Sequence, residues 1–157
     1  GYHFARRGQY LERADNTARL LDVKYHVLLP NAEEVGGLVD YYQWLAVLRV
    51  VGARRAYRVL FQGRINAANV AELLVLRREF PRSLAFCFGE ITYDLDAIRG
   101  QDPHRVAEAK RLANSMYAQL KFGRIEDILG AGLHEYLTRF VEHGDELGGE
   151  IARGHLF

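Results

Sequence analysis

The chain has 157 residues, and its 21 Lys and Arg against 20 Asp and Glu give a formal net charge of +1 at pH 7. This balance excludes the general attraction to nucleic acid that a strongly basic protein has. The single cysteine excludes an internal disulfide framework and a multi-cysteine zinc site. We expect one cytoplasmic domain, residues 1–157, with no membrane span, no nucleic-acid partner and no cofactor.

Helical periodicity dominates the sequence, and we find neither strict strand alternation nor a hairpin turn signal. Prolines at positions 30, 81 and 103 lie where the helical spacing of apolar residues is interrupted, which predicts helix boundaries there. We predict an all-α bundle of five to six helices. Their expected spans are about residues 2–29, 41–61, 67–76, 82–99, 103–123 and 124–147, with Asp40, Asn66 and Asp102 as N-caps.

The first helix carries an apolar stripe for the core and two separate polar faces. We predict that one polar face is exposed to solvent; its members are Arg6, Arg13, Thr17 and Lys24. The other, which we call the polar strip, borders the apolar stripe; its members are Glu12, Asp15, Asn16, Arg19 and Asp22. Because the first polar face is already expected to be the side of the helix in contact with solvent, we expect the polar strip to face other helices. It is then either a polar cavity for binding or acid–base chemistry, or a salt-bridge network that fixes packing.

The second predicted helix is apolar on nearly every side over residues 41–48, which indicates a central helix or a partner surface.

Charge is also segregated along the chain. Residues 41–71 hold five arginines and no acid, whereas residues 126–150 hold seven acids and one base. We expect these segments to complement each other or a neighbouring subunit, rather than to form a phosphate or RNA site.

The last predicted helix contains Gly130 and Gly132, which predict a close helix approach or a break. Glu126 and His134 share a face of this helix. We consider two roles for His134: contact with the polar strip, or a core histidine with one hydrogen bond.

Known catalytic signatures are missing, since Thr138 stands where a zinc protease needs its second histidine and no Glu-x-x-His occurs. Cys87 lies on a core stripe and is expected to be a buried thiol.

The segment YLERADNTARLLD at residues 10–22 resembles the hallmark of the alpha-E domain family, an all-helical domain named for a Glu-Arg motif. The resemblance continues through DYYQW at 40–44, EFPRS at 79–83, RIE at 124–126 and GLH at 132–134. Family members are longer and carry a related Glu-Arg helix in their first half, so the chain resembles the C-terminal half of a duplicated domain. Glu12 and Arg13 are then the namesake pair.

The resemblance implies a bacterial protein without an established activity, associated with a circularly permuted ATP-grasp ligase and a transglutaminase-like peptidase. We therefore favour a non-catalytic accessory or scaffold domain in peptide or amide-bond synthesis and processing. Its expected partners are that ligase and peptidase, together with the other half of its own domain or a second copy. One alternative is an enzyme with a carboxylate and histidine pocket, with or without a metal; another is a structural half-domain that oligomerises. The residues expected to bind are Glu12, Arg13, Asp15, Asn16, Arg19, Asp22, Glu126 and His134.

Overall fold

A computed structural model describes residues 2–27, 35–98 and 103–156. These ranges contain eight α-helices and no β-strand, so the all-α prediction is confirmed. The helices are α1 (Tyr2–Asp22), α2 (Leu38–Val50), α3 (Arg54–Phe61), α4 (Ala67–Leu76), α5 (Leu84–Asp96), α6 (Pro103–Lys121), α7 (Ile125–Ala131) and α8 (Leu133–Leu156). A π-helical turn, Val23–Val27, continues α1. The predicted end of the first helix at residues 28–29, the following proline loop and the Asp102 cap lie outside the described residues.

The prediction of five to six helices is wrong because two glycines divide longer predicted helices. Gly52, with φ +69°, ends α2. The backbone N–H of Gly52 donates to Arg49 and that of Ala53 to Leu48, which is a Schellman motif. Gly132, with φ +111°, separates α7 from α8. Both φ values are in the range that side chains disfavour, so glycine is the residue that permits these breaks.

At two helices, a polar side chain at the N-cap position determines where the helix begins. Asn66 caps α4 as predicted, since its side chain accepts a hydrogen bond from the backbone N–H of Asn69 at 2.9 Å. Ser83 does the same for α5 with Phe86 at 3.0 Å. The prediction that Asp40 caps α2 is wrong: α2 begins at Leu38, and Asp40 lies in its first turn.

Four helices form the central bundle. α1 packs against α5 and α8, and α6 packs against the same two helices on the other side. Ala14 and Ala18 of α1 are almost completely buried between them, and their small side chains permit a close approach. α4 packs on this bundle through contacts with α5, α7 and α1. α2 and α3 contact each other and α4. The prediction that α8 ends near residue 147 is wrong, because it continues to Leu156. None of the described helices is long and apolar enough to cross a membrane.

The face of α1 expected to meet solvent is instead largely covered by protein. Thr17 is 3% exposed, and its hydroxyl donates to the carbonyl of Arg82 at 2.8 Å. Lys24 is 2% exposed and pairs with Asp40 of α2. Arg6 makes ion pairs with α5 through Asp94 and Glu90. The prediction failed because a helical wheel orders residues around one helix but does not show where neighbouring helices pack.

Candidate functional site

The polar strip is accessible rather than buried. Glu12 and Asn16 are exposed, and the side chain of Arg19 is 61% exposed. Its one internal ion pair joins Arg19 Nε to Asp15 Oδ2 at 2.8 Å across one helical turn. An exposed pair at this spacing contributes little to stability, because water screens the two charges and both side chains lose conformational freedom when they pair. Glu12, Asn16 and Arg19 therefore do not form a buried salt-bridge network between helices, whereas Asp22 does contact another helix, as described below.

Glu12 stands between two grooves. The first, here called the acidic groove, has a volume of about 270 Å³ and lies where α1 meets α5 and α8. Phe88, Phe140 and Leu11 contribute an apolar floor, and three carboxylates line the same groove without any Lys or Arg. These carboxylates belong to Glu12, Asp15 and Asp145. The acidic groove thus suits a group that combines positive charge with an apolar body.

The second groove, here called the Glu-Arg groove, has a volume of about 410 Å³ and lies on the other side of Glu12. It is lined by Glu12, Arg13 and Asn16 of α1, by Val50 at the end of α2 and by Arg82 before α5. It therefore presents one carboxylate and two guanidinium groups, a set that can pair with both charges of a peptide-like ligand. Arg13 was expected to face solvent, away from Glu12, but both residues line this groove.

Arg13 is held in place by two contacts. Its Nη1 donates to the carbonyl of Pro81 at 3.3 Å, and its guanidinium lies 5.0 Å from the centre of the Tyr10 ring. A guanidinium over an aromatic face is attracted by the negative charge density of that face. Arg13 therefore has a defined position beside Glu12, with its remaining donors available to the groove.

The hypothesis that His134 contacts the polar strip is confirmed. His134 Nδ1 lies 2.7 Å from Asp22 Oδ1, which joins α8 to the end of α1. The ring of His26, in the π-helical turn, stacks on His134 with 3.6 Å between ring centres and 7° between ring planes. A small groove of about 150 Å³ lies beside Asp22 and includes Arg19 and Thr138. A carboxylate that orients an imidazole in this way is also a recurring component of general-base catalysis.

The structure does not bring Glu126 to this region. Glu126 is exposed on the first turn of α7, and among the described contacts it has no hydrogen bond or ion pair with the polar strip. In the described part of the chain, no group of three or more His, Cys, Asp or Glu is placed to hold a metal ion. Cys87 is a buried thiol as predicted, and burial raises its pKa to about 12, which suppresses the reactive thiolate.

Sequence reasoning missed Arg82 and Asp145 as site residues. Arg82 belongs to the segment EFPRS at 79–83, which the family resemblance singled out without assigning it a role. Asp145 follows the polar strip by more than 120 residues, so only the packing of α8 on α1 shows that they share a groove.

The described residues thus define an all-helical bundle domain whose polar strip separates two grooves. A family model, Alpha-E, described as a predicted alpha-helical domain with a conserved ER motif, matches residues 1–156. The chain belongs to the Alpha-E family. Glu12-Arg13 is the single Glu-Arg dipeptide in the sequence, so it is the residue pair to which the motif corresponds. No curated protein and no solved structure matches the chain.

Proposed function

We propose that this chain is a non-catalytic binding domain, and that the polar strip with its two flanking grooves recognises a peptide segment of a partner protein. The observation that carries the proposal is the position of Glu12. It lines both grooves, and the Arg13 beside it is fixed by Pro81 and Tyr10. A positively charged side chain of the partner fits the acidic groove, and a carboxylate fits the guanidinium groups of Arg13 and Arg82.

The partners that we propose are an ATP-grasp ligase and a transglutaminase-like peptidase. What supports them is the family resemblance, together with a site that accepts both charges of a peptide. The proposal accordingly makes the chain an accessory or scaffold component in peptide or amide-bond synthesis and processing. The exposed polar strip fits this role because accessible charges set the orientation and specificity of association.

The test replaces Glu12 by glutamine and measures which proteins the tagged chain retains from a lysate of its native cells. We expect the parent chain to retain the ligase or the peptidase, and Glu12→Gln to retain at least about tenfold less because a charged hydrogen bond to the partner is lost. Since Glu12 is exposed, its free energy of unfolding should change by less than about 0.5 kcal/mol.

Glu108→Gln is the matched control, because Glu108 is an exposed glutamate on α6 away from both grooves. This control should retain the partners as the parent does. The proposal is rejected if neither enzyme is recovered with the parent chain. It is also rejected if the Glu12 and Glu108 variants retain them equally well.

A second candidate function is supported by the Asp22–His134 contact alone. The 2.7 Å contact leaves the other ring nitrogen of His134 as a possible base, oriented by a carboxylate. We propose as the alternative that this pair serves an enzyme active site, with the small groove beside Asp22 as the place where a substrate binds.

His134→Asn tests the enzyme alternative, because asparagine can keep a hydrogen bond to Asp22 but cannot transfer a proton. If the chain is an enzyme, hydrolysis of simple ester and peptide-amide probes by the parent should fall at least about 100-fold in the variant. Both proteins should keep the same melting temperature. Equal background rates in the two proteins would contradict the enzyme alternative.

A further inference from the structure

The solvent side of α2 and α3 is apolar and basic. Several large apolar side chains of these helices are exposed, namely Leu38, Val39, Tyr41, Tyr42, Val50 and Val59. A cluster of exposed apolar side chains is a frequent mark of a protein interface. A groove of about 250 Å³ between α2 and α3 joins both properties, since Tyr41, Leu45 and Ile65 line it together with Arg54 and Arg58. We call this groove and its surroundings the basic face.

The positive charge of the basic face is not neutralised within the described chain. The arginines at positions 49, 54, 55, 58 and 64 are all exposed, and none makes an ion pair with another described residue. In the acidic segment of residues 126–150, Glu150 is the one member with an ion pair among the described residues, and Asp145 and Glu146 attract Arg19 and Arg111 at longer range. Within the described part of the chain, the basic and acidic segments therefore form no ion pair with each other.

The helices that carry the two charged regions share a neighbour. α4 contacts both α3, which belongs to the basic face, and α7, whose first turn is acidic. Glu126 and Asp127 are exposed in that turn. Phe122, just before α7, is 76% exposed and offers an apolar anchor beside these acids. Lys121 and Arg124 lie on either side of Phe122, so the negative charge of this region comes from Glu126 and Asp127 rather than from the residues next to Phe122.

We infer that the basic face binds the α7 end of a second copy of this chain, and that the second copy returns the same contact. Phe122 of each copy enters the α2–α3 groove of the other, while Glu126 and Asp127 meet Arg54 and Arg58. A two-fold axis near α4 produces this reciprocal arrangement, in which each surface is used once on each chain. The arrangement gives Glu126 a binding role that is separate from the polar strip.

Charge and shape favour a second copy over nucleic acid or an anionic membrane. Either of those would neutralise the arginines but would leave Glu126 and Asp127 of α7 without partners. A second copy pairs these two acids with Arg54 and Arg58 and also covers Phe122. It does so without using Glu12 or Asp15, so association of two copies and recognition at the polar strip can succeed or fail independently.

The test is sedimentation equilibrium of the parent chain between about 1 and 200 µM, in about 0.05 M and 0.5 M salt. We expect a dimer that weakens as salt rises. Two charge-reversal variants, Arg54→Glu/Arg58→Glu and Glu126→Arg/Asp127→Arg, should each raise the dimer dissociation constant at least tenfold. Phe122→Ala should do the same through loss of the apolar anchor.

Mixing the two charge-reversal variants gives the sharpest result. In the mixed dimer one contact is native and the other is inverted in both signs, so dimerisation should return. Arg111→Glu is the control for an exposed arginine outside both charged regions, on α6, and should dimerise as the parent does. A parent chain that stays monomeric to the highest concentration overturns the inference, and so does a dimer that both reversals leave intact. A monomer that binds RNA or anionic vesicles through Arg54 and Arg58 overturns it in favour of those partners.

Discussion

Lys24→Met should lower the free energy of unfolding by about 3–5 kcal/mol, because it leaves the carboxylate of Asp40 buried without its counter-charge. Lys24 is 2% exposed and lies where the π-helical turn begins. Its Nζ pairs with Asp40, donates to Gln43 Oε1 at 3.0 Å and lies 5.0 Å from the centre of the Trp44 ring. These contacts attach the end of α1 to α2, which carries the basic face.

Urea unfolding of purified variants measures this effect. The double variant Lys24→Met/Asp40→Leu removes both charges and should recover most of the loss, since a buried ion pair can be replaced by apolar groups of similar size. Lys121→Met is the matched control, because Lys121 is exposed and its replacement should change stability by less than about 0.5 kcal/mol. A loss below about 1 kcal/mol for Lys24→Met would show that water reaches Asp40 freely.

The same pair should make the chain sensitive to acid. Burial by itself raises the pKa of Asp40, but hydrogen bonds from Lys24 and the backbone N–H of Gly36 outweigh burial and lower that pKa below its ordinary value of 3.8. A carboxyl group with a lowered pKa in the folded state stabilises that state above its unfolded pKa. The contribution is therefore complete near pH 5 and above, and it is lost as the pH falls through the folded pKa. In Lys24→Met/Asp40→Leu this part of the acid dependence should disappear.

Phe88→Ala is expected to cost about 3–5 kcal/mol of folding free energy, because it opens a cavity where α5 meets α8. Phe88 is fully buried, and its ring meets that of Phe140 edge to face, with 4.8 Å between ring centres and 70° between ring planes. Both rings also line the acidic groove. The substitution therefore weakens the bundle and removes part of the groove floor.

Thermal or urea unfolding again measures the change, and Phe122→Ala is the matched control. The same atoms are removed there from a side chain that is 76% exposed, so the loss should stay within about 0.5 kcal/mol at concentrations where the chain is monomeric. Phe88→Leu keeps most of the volume and should cost less than Phe88→Ala. Equal stability of the Phe88→Ala and Phe122→Ala variants would contradict the packing that places Phe88 in the core.

The candidate site was partly predictable. The polar strip, Glu12 through Asp22, follows from helical spacing, and so does the possibility that His134 reaches it. Arg13 was assigned to the wrong surroundings, because the wheel cannot show that Val50 and Arg82 form the opposite wall of a groove with it. Glu126 was grouped with His134 on one helical face, but the break at Gly132 separates α7 from α8 and ends that alignment.

By itself the sequence determined the all-α class, the cap at Asn66, the buried Cys87 and the segregation of charge. These follow from helical periodicity, local hydrogen bonding and composition, which act over a few residues. The tertiary structure alone decided that Lys24 is buried and the polar strip exposed, and that the arginines of α2 and α3 have no acidic partner within the described chain. Such outcomes depend on which helix covers which face, and that depends on packing between residues far apart in the chain.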